Sequence, residues 1–459
     1  MLTKKGYIIQ KKQLSVLQTN QLIDDLCVQP LTQGDYFAEP KYPVYRESET
    51  RYRIPRFYGI QKFGLSQDSL SNGISINLDF NGTLNDSTFQ NEACSKVLTT
   101  LYDKGGGILS LGTGFGKTTC ALYILSKLKL RTLIIVHKEF LMSQWIERIQ
   151  QFLPDASIGK IQQNKVDVVG KDIVIAMLQS IALKTYDDSV FQGFGFTIID
   201  ETHHICSKTF SRALFNVTTK YVLGLSATPE RKDGLSKVLY WFIGDIIFSA
   251  YRKDEKDVQV LIKHYTHDNY SQDLPKNVMG KINLPEVINQ VTSLEDRNDK
   301  ILEEAFKCLH DKRKIILLTD RRNHCFSLYN KSLESGEPFS FGLYIGGMKQ
   351  SELKQNENCD LIFATFSLAN EGLDIPSLNT LILASPKTDI VQSVGRILRE
   401  TGEKTHVPLV IDFVDAYGPL VNQFYKRKKF YTKTGFTLLN HPKKEKEKEQ
   451  INSFLFSSD

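Results

Sequence analysis

No stretch of this chain approaches the run of about 18 apolar residues that a membrane-spanning helix needs. None of its seven cysteines stands in a C-x-x-C pair. The first absence argues against a helical membrane protein. The second removes zinc ribbons and dithiol redox motifs; the odd number, scattered from Cys27 to Cys359, reads as reduced thiols and an intracellular compartment. The opening residues "MLTKKGYIIQKKQLSV" lack the apolar core and small-residue cleavage site of a secretory signal. One-sided charge is also scarce. Lys and Arg number 58 against 52 Asp and Glu, a net charge of +6, with a pI near 8.7. That balance permits a polyanionic partner without requiring one.

What is present is a globular composition, 41% hydrophobic and 24% charged, in a chain of 459 residues. Such a length exceeds one ordinary core and predicts two or three domains. The first 85 residues show no strong helical period and are rich in Tyr, Pro and Arg, which predicts a small accessory domain packed by its aromatics. Short apolar runs then alternate with helical stretches. Strands are expected at 108–111, 132–136, 172–177, 196–200 and 221–226, and again at 314–319, 341–345, 361–365, 380–385 and 408–413. Nearly continuous apolar strands alternating with helices imply parallel sheets built from βαβ units. Between two of them, Leu141, Trp145, Ile149 and Phe152 recur at helical spacing, so Trp145 reads as core. The expected division is an accessory domain over 1–85, an α/β domain over 86–250, a polar linker over 251–288, a second α/β domain over 289–430 and a charged tail over 431–459.

"LSLGTGFGKTTCALYIL", from Leu109 to Leu125, nearly matches the phosphate-loop pattern G-x-x-x-x-G-K-[ST], but Leu111 stands where the first Gly belongs. The physical needs of such a loop are still met. Gly112, Gly114 and Gly116, with Thr113 and Phe115 between them, let backbone N–H groups curl inward, and the helix that follows turns its positive end to the loop. Lys117 would reach the β- and γ-phosphates of ATP, Thr118 would hold Mg²⁺, and Thr119 continues the turn. "FTIIDETHHI" carries Asp200 and Glu201 at the tip of a buried strand, a costly place for carboxylates unless a cation is near. Asp200 then reads as the Mg²⁺-side carboxylate and Glu201 as the residue that orients the attacking water. His203 and His204 read as a surface pair or, with the carboxylates, a weak zinc site.

Asp200-Glu201-Thr202-His203 resembles the D-E-x-H box of superfamily 2 helicases, a family in which the first loop position is often not Gly. Further stretches are similar to its motifs in order: Ser226-Ala227-Thr228, the S-A-T motif that couples hydrolysis to nucleic-acid binding; "ATFSLANEGLDIP" with Gly372 and Asp374; "QSVGRILRE" with Gln392, Gly395, Arg396 and Arg399; and Gln90 at the adenine-reading position. Within the family the chain looks closest to the XPB- and UvsW-like branch, and to transcript-release helicases of large cytoplasmic DNA viruses, including poxviruses. The resemblance implies an α/β fold of two tandem RecA-like domains with a small N-terminal accessory domain, and ATP bound between them. It implies Arg399 as the arginine finger, with Arg396 beside it. It also implies 3′ to 5′ movement, host cytoplasm and virion as the location, and RNA polymerase or an elongation complex as a partner.

Nucleic acid, DNA first and RNA second, would cross the carboxyl ends of the strands. Candidate contacts there are His137, Lys138, Gln179, Ser180, Arg321, Arg322 and Thr365, polar groups suited to phosphate and sugar. Arg231, Lys232 and Asp233 could line either the nucleotide site or the strand path. Lys426 to Lys429 could touch duplex or solvent. A competing reading is a non-unwinding, ATP-dependent adaptor or clamp in a polymerase complex; another is a branch-migration helicase of DNA repair.

Overall fold

A computed structural model describes residues 1–31, 40–65, 69–112, 114–227, 229–231, 233–250, 258–271, 273–373, 375–397 and 406–439. The chain divides into two compact units, Met1–Tyr251 and Arg252–Asp459.

The first unit is built on an eight-stranded sheet. Its main elements are β1 (Gly106–Leu111), α1 (Lys117–Leu128), β2 (Thr132–Val136), α2 (Glu139–Phe152), β3 (Ile173–Met177), β4 (Phe196–Ile199), β5 (Tyr221–Ser226) and β6 (Ile246–Ala250). They lie in the order β3-β2-β4-β5-β1-β6, all parallel. Ile158–Gln162 extends the sheet beside β3, and Lys165–Asp167 closes that edge antiparallel. Strands β1, β2 and β4 are buried along their whole length, which their continuous apolar runs required. One core forms against α1 and α2; a second, on the other face, includes Ile108, Leu133, Val174 and Ile199.

The N-terminal residues make their own four-stranded sheet from Leu2–Thr3, Gly6–Gln10, Arg51–Ile54 and Arg46–Glu47. They also form a helix, Val16–Leu26, where no helical period was expected. Only Leu22 and Leu26 of that helix are fully buried, so its apolar stripe is thin. Its local signal is a capping box: the Ser15 hydroxyl accepts from Gln18 N, and the Gln18 amide oxygen accepts from Ser15 N. Nor does the segment stand apart. Val28, Tyr42 and Val44 belong to the same core as Ile108 and Ile199, and Arg56 donates to the Thr219 and Lys220 carbonyls.

The second unit carries β7 (Gln259–Tyr265), α3 (Leu284–Thr292), α4 (Glu295–His310), β8 (Ile315–Thr319), α5 (Arg322–Glu334), β9 (Phe341–Tyr344), β10 (Leu361–Thr365), β11 (Thr380–Leu383), β12 (Leu409–Asp415) and α6 (Pro419–Thr434). The sheet runs β9-β10-β8-β11-β12-β7, then Thr437–Leu439, all parallel. Two expected boundaries are corrected here. Strand β7 falls in the segment assigned to a linker, yet it pairs with β12 over its full length. Its polar residues Gln259, Lys263 and His264 alternate with buried Val260, Ile262 and Tyr265, the pattern of a strand near a sheet edge. The expected tail from 431 likewise contains the end of α6 and a strand, while 440–459 lie outside the described residues.

Candidate functional site

The loop between β1 and α1 explains how Leu111 replaces a glycine. Leu111 is the last residue of β1, fully buried, and needs no left-handed backbone. The turn is made downstream, where Gly114 (φ +85°) and Gly116 (φ +79°) take left-handed conformations. A side chain at Gly116 would also meet the Gln90 amide, 2.4 Å from the Cβ position. Gln90 is bound to the loop itself: its Nε2 donates to the Phe115 carbonyl at 3.0 Å, and its Oε1 accepts from Asn85 N at 3.0 Å. Phe115 is buried in the core under the loop. Lys117 folds back to donate to the Leu111 carbonyl at 3.1 Å. Thr118 and Thr119, half-buried, open α1, whose N-terminal end faces the loop. Thr113 lies outside the described residues.

Asp200 and Glu201 follow β4. The Asp200 carboxylate accepts from the Trp145 indole N–H at 2.9 Å and from Glu201 N at 3.0 Å. Burial, then the neighbouring Glu201 charge, pushes its pKa up; the Trp145 bond and the Lys117 charge pull it down. Glu201 is held at φ +47°, a strained backbone for a residue with a side chain. Its Oε2 is buried without a hydrogen bond and lies 3.4 Å from His203 Nδ1. A buried pair of carboxylates with an unsatisfied oxygen suits a cation. Among the described residues no three His, Cys, Asp or Glu side chains could hold a metal by themselves. That donor set fits Mg²⁺, which keeps water and phosphate oxygens in its shell, and does not fit a structural zinc.

Trp145, expected as core, is core and also a donor to the site, because a buried indole N–H must find a partner. Its helical spacing showed the burial; nothing in the sequence showed which carboxylate it meets. Arg231 pairs with Asp233 and donates to the His203 carbonyl, so it braces the segment after β4. Lys232 and Thr228 lie outside the described residues. Ser226 and Ala227 are buried at the end of β5.

Several expected nucleic-acid contacts are spent inside the fold. His137 is buried, its ring stacked on His204 at 3.7 Å, with His203 4.2 Å beyond. Burial holds His137 and His203 down to a pKa of about 4 and His204 to about 3, so all three are neutral at pH 7. His137 therefore offers no charge to a phosphate. Gln179 donates to the His137 carbonyl, and the buried Ser180 hydroxyl accepts from Gln163 N. These residues tie the loops together at the carboxyl ends of β2 and β3. Lys138 is half-buried and its pKa is lowered by burial.

In the second unit, Arg321 is committed to α3, donating to Asn289 Oδ1 at 2.6 Å and the Pro285 carbonyl at 3.0 Å; Arg322 is exposed and Thr365 is buried. Arg396 is buried and donates to the Leu373 carbonyl, and Gln392 is half-buried on the short helix Val391–Ile397. Gly372 ends the helix Phe366–Gly372; Asp374 and Arg399 lie outside the described residues.

Comparison with known proteins adds the family. Residues 83–231 match the model for the type III restriction enzyme res subunit, and residues 297–401 match the helicase conserved C-terminal domain. The chain is 36% identical over 429 residues to "Putative ATP-dependent RNA helicase L396" of Acanthamoeba polyphaga mimivirus, covering 90% of this chain and 81% of that protein. It is 28% identical over 421 residues to "Putative helicase 161L" of Invertebrate iridescent virus 6, covering 86% and 90%. Among solved structures, Saccharomyces cerevisiae Dbp5 bound to RNA and ADP BeF3 aligns with a TM-score of 0.53 over 79% of this chain and 93% of that one, at 13% identity, a likeness of fold. The chain belongs to the ATP-hydrolysing superfamily 2 helicases, in company with helicases of large DNA viruses.

Proposed function

We propose that this chain hydrolyses ATP to move along a nucleic-acid strand, or to unwind it, and that its track is DNA read 3′ to 5′ during transcript release in viral transcription. The observation that carries the motor reading is the meeting of two elements in one unit: a phosphate loop after β1 and a carboxylate pair after β4, close enough for Lys117 to act on Asp200. Residues 112–119 would hold the phosphates through backbone N–H groups and Lys117. Mg²⁺, held by Thr118 and Asp200, would supply positive charge to the phosphates. Glu201 would orient the attacking water. Gln90 would read the adenine from its seat on the loop. Arg399, with Arg396 and Gln392, would stabilise charge on the γ-phosphate, a contribution of about 10³–10⁵ in rate. Ser226, Ala227 and Thr228 would couple hydrolysis to the track, and Gly372 and Asp374 would complete the nucleotide site. For the track, exposed Arg322 and half-buried Lys138 are the surviving phosphate candidates.

A second reading takes RNA as the track. It is favoured by the printed name of the mimivirus relative, which calls that protein an RNA helicase. Steady-state ATPase rates with single-stranded DNA, duplex DNA and RNA, each at low and moderate salt, test both. Strong stimulation by DNA supports the proposal, and stimulation by RNA alone moves the track to RNA. No stimulation by any nucleic acid would replace the motor with the adaptor, whose activator is a protein.

A further inference from the structure

Val278 is the most exposed large apolar side chain of the described residues, and Met279 beside it is more than half exposed. Both sit at the tip of a tight hairpin closed by an antiparallel bridge between Lys276 and Ile282. The turn satisfies its own backbone. Asn277 N donates to the Lys281 carbonyl at 2.7 Å, and Gly280 N to the Asn277 carbonyl at 2.9 Å. The Asn277 side chain accepts from Met279 N and Lys281 N, both at 3.0 Å. Gly280 supplies the left-handed residue, at φ +74°. With its polar groups turned inward, the tip presents apolar side chains to solvent.

The root is firm. Tyr270 stacks on Tyr417 with ring centres 4.6 Å apart, and its hydroxyl donates to Asp415 at 2.9 Å. Asp415 is itself paired with Arg297 in a fully buried ion pair. The segment also packs Leu274 against Gly418, where any Cβ would come within 2.7 Å of a Leu274 methyl. Its position is equally defined. The hairpin leaves the carboxyl end of β7 and enters α3, whose first turn is held by Arg321 at the carboxyl end of β8. Ligands of parallel sheets sit on this edge.

We propose that the hairpin 275–283 is a wedge that inserts Val278 and Met279 into the base stack at the end of a nucleic-acid duplex. The inference rests on the nucleic-acid motor reading above. A protein partner would want on the order of 800 Å² of complementary surface on each side, whereas this tip is two side chains wide. Aliphatic and Met side chains do insert between base steps, and Lys276 and Lys281 at the two sides of the turn suit flanking phosphates.

The experiment compares the wild-type full chain with V278S/M279S and V278L/M279L on a forked duplex with a 3′ single-stranded tail, once in DNA and once in RNA. Three quantities are read: strand separation, ATPase stimulated by the fork, and affinity for the tail alone. The wedge requires that the serine variant lose strand separation by tenfold or more while its stimulated ATPase and tail affinity stay within twofold. The leucine variant should regain separation, and the arm that responds names the track. Unchanged separation in the serine variant overturns the proposal and makes the tip a protein-docking surface. An equal fall in all three quantities also overturns it, since the tip would then be a simple track contact. A wild type that hydrolyses ATP on the fork without separating it removes the wedge and leaves the motor. A wild type with no nucleic-acid-stimulated ATPase removes the motor reading itself.

Discussion

At the scale of single residues, the site depends on a few atoms whose neighbours set their chemistry. Glu201→Gln keeps the shape and hydrogen-bonding capacity of the side chain and removes its charge. It should retain nucleotide binding while hydrolysis falls by about 10²–10⁴, the usual contribution of a positioned base. Fluorescent-nucleotide titration beside single-turnover hydrolysis separates the two, and normal turnover would reassign the water-orienting role. Lys117→Ala should weaken binding and hydrolysis together. Trp145→Phe keeps the ring in the core and deletes the donor to Asp200. The expected result is an ATPase that needs more Mg²⁺, with activity at limiting Mg²⁺ down about 10–100-fold and partly regained at high Mg²⁺. A Mg²⁺ titration superimposable on that of the wild type would reduce Trp145 to packing alone. Lys117, Asp200 and Glu201 were legible in the sequence because phosphate and metal chemistry demand those residue types at those spacings. The Trp145 bond was not, since 55 residues of chain separate its ends.

At the scale of elements, buried polar groups join the second unit together. Arg297 on α4 reaches Asp415 at the end of β12 through two bonds, at 2.7 and 2.9 Å, and donates a third to the Ala384 carbonyl. Asp415→Asn would leave a buried guanidinium without its counter-charge, and a loss of about 3–5 kcal/mol in a denaturant melt is expected. His324 on α5 lies between Thr319 Oγ1 and Asn298 Oδ1, both at 2.9 Å. Asn298 donates its own N–H to the Thr292 carbonyl, so its oxygen faces the ring and the proton belongs on His324 Nε2. Burial lowers the His324 pKa to about 3. A base whose folded pKa is depressed binds fewer protons in the folded state. Its stabilising effect is therefore full above the unfolded value near 6.5 and declines as pH falls toward 3. His137, His203 and His204 act in the same sense, down to about 4 or 3. Stability should fall by about 1.4 kcal/mol per pH unit for each such histidine in that window. Melts of wild type and His324→Gln between pH 7 and 5 should converge as pH falls, and parallel curves would contradict the buried neutral histidine.

At the scale of the whole molecule, a motor that grips backbone phosphates should bind with little sequence preference. Its affinity should fall linearly in log K against log salt, with a slope that counts the phosphates engaged. Binding titrations at several salt concentrations on unrelated sequences check this, and a flat salt response would contradict it. The sequence by itself determined the parallel α/β architecture, because strands buried on both faces must be continuously apolar and parallel strands need helical crossovers. It also determined the phosphate loop and the carboxylate pair, where backbone curl and charge need short, local spacings. It did not reveal β7, whose alternating polar residues read as linker until β12 supplied a partner, nor the N-terminal helix, whose thin stripe only the core beneath it completes. Tertiary structure alone decided that His137, Gln179, Ser180 and Arg321 are spent on internal bonds. A polar side chain at a strand end has one sequence pattern whether it faces solvent or a neighbouring loop, and only the packing of that loop takes the water away.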